Sequence, residues 1–88
     1  MAVFDLEFTL HVPDVPDLED RVDVFYDSLL ENFAIVSADL AFNLPKLEVK
    51  VLLGVKVEDS FDSPVDLARD IATDAISVAT QKAQMDQP

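Results

Sequence analysis

The chain has 88 residues, with 18 acidic against 6 basic side chains, a formal charge of -12, no cysteine and one glycine. Half of it is hydrophobic, which gives it material for a core and excludes a disordered acidic tail. The negative balance excludes direct nucleic-acid binding, which needs a positive footprint, and the absence of cysteine excludes a disulfide framework.

Residues 1–80 read as one α+β domain, and the polar residues 81–88 read as a flexible C-terminal tail. The N-terminus carries Asp5 and Glu7 where a signal peptide would carry bases. The longest apolar runs, Phe33 to Val36 and Val51 to Val55, fall far short of the roughly 20 residues of a spanning helix. No membrane partner is expected, and the expected location is cytoplasmic.

The first element alternates. Phe4, Leu6, Phe8, Leu10 and Val12 point one way, and Val3, Asp5, Glu7, Thr9 and His11 point the other. A period of two with one apolar face predicts a half-buried strand. Pro13 and Pro16 end it, because proline has no amide hydrogen to give.

Leu18, Val22, Phe25 and Leu29 then fall on one helical face, with Asp17 as the N-cap and the helix fading near Glu31 or Asn32. A second strand is expected to turn Val36, Ala38, Leu40, Phe42 and Leu44 inward, with Ile35, Ser37, Asp39, Ala41 and Asn43 outward. Asn43-Leu44-Pro45-Lys46 makes the connection. A third strand turns Leu47, Val49, Val51, Leu53, Val55 and Val57 inward and Glu48, Lys50, Leu52, Gly54, Lys56 and Glu58 outward. Its lone Gly54 marks a bulge or a close approach.

The last helix opens on Ser63-Pro64-Val65-Asp66: a serine cap, a proline at the first position and an acid three residues after the cap. Its expected stripe is Val65, Ala68, Ile71, Ala72, Ala75, Val78 and Ala79. The order β-α-β-β-α, with every strand apolar on one face, predicts a three-stranded sheet in order 1-3-2 covered by two helices on one face. This arrangement resembles a ferredoxin-like sandwich lacking its last strand.

Little in the sequence supports catalysis, so no enzyme, catalytic residue or cofactor is expected. His11 is the only histidine, and Glu7 on its face lies about 13 Å along the strand, out of reach. No glycine-rich phosphate loop is present. The acids of Asp14–Asp20 and Glu58–Asp62 lack the glycine and spacing of a calcium loop, so no metal site is expected.

The charge is distributed unevenly. Asp20, Asp23 and Asp27 on the first helix and Asp66, Asp70 and Asp74 on the second recur on the sides away from the core. Three readings compete: solubility, a docking face for a basic protein, and mimicry of nucleic acid that blocks a DNA- or RNA-binding protein. Duplex DNA carries a charge per roughly 1.7 Å, whereas acids four residues apart on a helix are about 6 Å apart, which weighs against mimicry.

The outward sheet positions hold no aromatic on which a base could stack. The missing strand leaves strand 1 as an open edge, so a homodimer through the sheet is expected, with Val3, Asp5, Glu7, Thr9, Ile35 and Leu52 as its surface. The sequence thus points to a non-catalytic interaction or assembly module with a basic partner, the nucleic-acid mimic being the alternative.

Overall fold

The computed structural model describes residues 2–58 and 63–85. Strand β1 (Ala2–His11) is followed by helix α1 (Leu18–Glu31), strand β2 (Ile35–Asn43), a 3-10 turn (Leu44–Lys46), strand β3 (Glu48–Val57) and helix α2 (Pro64–Lys82). The sheet order is β1-β3-β2, with β3 antiparallel to both neighbours. Helix α1 packs on β2, α2 packs on β3 and β1, and the two helices pack on each other. The α+β fold in order 1-3-2 is therefore as the alternation patterns predict.

β3 is central because it alone is apolar enough to be covered along its whole length. Val49, Val51, Leu53, Val55 and Val57 are all buried, and they share one core cluster with Phe25 and Leu29 of α1, both fully buried. Each such large side chain contributes about 1.5–3 kcal/mol through removal from water. The β1–β3 ladder is unbroken from Ala2↔Val57 to His11↔Glu48. Along β1, half-buried and exposed residues alternate without a fault.

Strand β2 departs from the expected phase at its start. Ile35 faces Val55 and Ser37 faces Gly54, so Val36 is an extra residue in a β-bulge. Ile35, expected outward and in the self-association surface, is 5% exposed and part of the core, whereas Val36 is exposed. A bulge shifts the phase of everything before it by one residue, which is why Ala38 and Leu40 keep their inward places and Ile35 changes sides. Gly54 sits beneath this bulge. A Cβ there would meet Ser37 Oγ at 2.5 Å, so the glycine answers a close approach. Phe42 also differs from expectation: it is on the inward phase yet 44% exposed, because β2 is an edge strand that α1 only partly overlies.

Helix α2 approaches the sheet through Ala68, Ala72, Ala75 and Ala79, all buried, together with Ile76. Val65 and Val78, expected in the stripe, are exposed on its flanks. Small side chains let the helix settle closer along the alanine line, which rolls the bulkier valines outward. At neither N-cap position, Asp17 or Ser63, does the side chain cap its helix. Asp17 instead holds Arg21 Nε at 3.1 Å.

Of the expected tail at 81–88, residues 81–85 belong to the fold. α2 runs to Lys82 and closes in a Schellman motif, with Met85 N–H donating to the Thr80 carbonyl (3.0 Å) and Gln84 N–H to the Gln81 carbonyl (3.2 Å). Gln84 takes the left-handed conformation that this motif requires (φ 55). Ala83 and Met85 are buried, and Arg21 Nη1 donates to the Gln84 carbonyl at 2.6 Å. Residues 86–88 lie outside the described residues.

Candidate functional site

The two helices run antiparallel for only part of their length. Asp17 and Arg21 of the α1 entry share a groove with Ala83 and Gln84, while Asn32 and Phe33 at its exit share one with Asp74 and Ala75. The N-terminal half of α2 thus extends past the end of α1. Asp66 lies about 12 Å beyond Asp74 along the helix axis, and Asp20 about 18 Å from the α1 exit. The six expected docking carboxylates, Asp20, Asp23, Asp27, Asp66, Asp70 and Asp74, are all exposed. Along the helix axes they span about 30 Å rather than forming a compact patch, with Asp20 toward the end of α2 and Asp23 toward Phe42 of β2.

The cations of this layer are largely committed. Arg21 holds Asp17 and the Gln84 carbonyl, and Lys82 Nζ lies 2.8 Å from Glu31 Oε2. Among the described residues, none of the six carboxylates takes part in an ion pair. Exposed pairs of this kind contribute about 0–1 kcal/mol each, so their main effect here is to leave the outward faces predominantly negative, with Arg69 the exposed base of α2.

The outer sheet face is mixed. Val3, Asp5, Glu7, Thr9 and Leu52 are exposed there, as expected, and Ile35 is replaced by Val36. Leu52 stands in a shallow depression with Glu7, Asp39 and Lys50, and Lys50 Nζ approaches Glu7 Oε1 at 4.0 Å. An apolar residue flanked by charges of both signs is a poor centre for packing two sheet faces together. Along the edge of β1, Phe4, Leu6, Phe8 and Leu10 remain half exposed.

His11 is exposed at the end of β1, opposite Glu48 in the ladder. Among the described residues no group of three or more His, Asp or Glu side chains is placed to hold a metal ion. Asp59 and Asp62 of the second acidic loop lie outside the described residues. Among the described residues no helix is long and apolar enough to cross a membrane.

Two features escape a reading of the sequence alone. Phe33 is 90% exposed, at the rim of a groove with Ser28, Asn32, Asp74 and Val78. Ser28 Oγ in that groove is buried without a hydrogen-bond partner among the described residues. Phe33 belongs to an apolar run, Phe33–Val36, so composition gives no sign that its first member is left outside. Compared with known protein families, curated proteins and solved structures, the chain matches none.

Proposed function

We propose that the protein is a non-catalytic interaction module that self-associates through its sheet and docks a basic protein on its acidic helical face. The observation that carries this reading is the spread of six exposed carboxylates along the helix layer, Asp20, Asp23, Asp27, Asp66, Asp70 and Asp74, beside cations already engaged at Arg21 and Lys82. Like charges so arranged on a helix cost some tenths of a kcal/mol per pair, a cost that a cationic partner removes on binding. The length of this spread suits an extended basic segment or a broad basic face better than a small cation. The open edge of β1 supports the self-association half, since an uncovered strand edge is a template for pairing.

The test is affinity capture from native lysate on the wild type and on a variant with Asp66→Lys, Asp70→Lys and Asp74→Lys. The expected result is a basic protein held at low salt, released as salt shortens the screening length to about 3 Å at 1 M, and lost from the variant. Retention by a correctly folded variant overturns the docking reading. If duplex DNA competes for the captured protein, the surface acts as a nucleic-acid mimic instead.

A further inference from the structure

We infer that two copies of the chain join edge to edge, β1 antiparallel to β1 and centred on Phe8, with Asp5 of each copy opposite the partner's His11. This rests on the self-association reading and gives it a register.

The direction of the free backbone groups is the starting point. Val12 N–H donates to the Leu47 carbonyl at 2.8 Å, toward β3, and Lys56 N–H donates to the Ala34 carbonyl at 2.7 Å, away from β1. The N–H and C=O of one strand residue point to the same side and alternate from residue to residue. Phe4, Leu6, Phe8 and Leu10 therefore bond to β3, and Val3, Asp5, Glu7, Thr9 and His11 present their N–H and C=O groups to the open edge. Side chains of those same odd residues form the exposed phase of β1. A second β1 strand must set odd residues opposite odd residues, both to use these groups and to keep the apolar row on the helix side.

Charge then selects among the registers that remain. Centring on Leu6 sets Asp5 opposite the partner's Glu7, and centring on Glu7 opposes two Glu7 carboxylates; like charges directly opposite are destabilising. Centring on Thr9 sets Asp5 opposite the partner's Pro13, which has no N–H to give. Centring on Phe8 avoids all three faults. Asp5 faces the partner's His11, whose ring always carries an N–H donor, and Glu7 faces the partner's Thr9. Leu6 faces the partner's Leu10, and Phe8 faces the partner's Phe8. The four pairs of odd residues exchange about eight backbone hydrogen bonds.

The helix layer is compatible with this join. The α2 residues turned toward α1 are Asp74, Ala75, Val78 and Lys82. By helical periodicity the opposite flank, toward the β1 edge, carries Asp66, Arg69, Thr73, Ile76 and Thr80, so its single acid stands beside Arg69 at the N-terminal end of the helix. The α1 acids stay at the far sides of the pair. A partner of another sequence has no reason to match the spacing of Asp5 and His11 about Phe8, whereas a second copy does so by symmetry.

The chain has no cysteine, so single cysteines report the register directly. Sedimentation of the wild type first establishes self-association; a monomer at high micromolar concentration overturns both this inference and the self-association reading. Phe8→Cys, Glu7→Cys and Thr9→Cys are then oxidised separately. Directly opposite residues satisfy disulfide geometry, while residues two apart on the diagonal stand about 7–8 Å away and do not. Phe8→Cys is expected to cross-link about tenfold faster than Glu7→Cys or Thr9→Cys. Because Phe8 packs against the core, the exposed double variant Glu7→Cys with Thr9→Cys is the second probe, and it is expected to cross-link as well. Faster cross-linking at Glu7→Cys or Thr9→Cys alone overturns the register and leaves edge pairing standing. A wild-type dimer with no cross-link in any variant overturns edge pairing itself.

Discussion

The two edges of the sheet are built differently. β2 carries a bulge at Val36, begins with a residue turned into the core, and has an acid at Asp39 and a proline just past its end at Pro45. Bulges twist an edge away from flat pairing, and charges and prolines discourage a further strand. β1 shares the proline just past its end, at Pro13, and carries two carboxylates, Asp5 and Glu7, on its exposed face, but it has no bulge: its ten residues pair without a break. Among the described residues, both edges lack a further strand, and only the β2 edge is bulged.

The largest expected effect comes from the strand that both edges share. Leu53 is fully buried in β3, and Leu53→Ala is expected to cost about 2–5 kcal/mol in urea unfolding, removing both edges together. Proline separates the two sides of β1. Leu10→Pro removes an N–H turned to β3 and is expected to cost about 3 kcal/mol. Thr9→Pro removes an N–H turned to the open edge, so its unfolding midpoint should stay close to the wild type while sedimentation shows loss of the dimer. Equal destabilisation by the two prolines would refute the assignment of free backbone groups. On the bulged edge, Gly54→Val presses on Ser37 and Val36 beneath the bulge and is expected to cost about 1–3 kcal/mol in the same unfolding assay. A neutral result would mean that the bulge yields easily, and the contrast between the edges would weaken.

Much of the fold is legible in the residues. β1 alternates over its whole length, β3 is apolar on one phase and mixed on the other, and Leu18, Val22, Phe25 and Leu29 mark the buried side of α1. The exposure of Asp20, Asp23, Asp27, Asp66, Asp70 and Asp74 is equally legible, since each stands about half a turn from the buried stripe. Their joint layout is not. Whether two acidic stripes lie side by side or end to end depends on how far α2 slides past α1, and Asp74 meeting Asn32 and Phe33 fixes that offset.

What the sequence by itself determined is the order and type of the elements, because period-two and helical spacing are local and each strand shows a single apolar face. What only the tertiary structure decided is the phase of β2, the roll of α2 and the turn that closes α2. Ile35 and Val36 are both apolar, so nothing in their own chemistry says which turns inward; the register against Val55 and Gly54 does. The alanines of α2 set the line of closest approach only once the sheet is beneath them, which leaves Val65 and Val78 outside and brings Ile76 in. The polar composition after Thr80 reads as a frayed end, yet Gln84 turns left-handed and Met85 enters the core, because burying Met85 and bonding the last carbonyls offset the cost of ordering that turn.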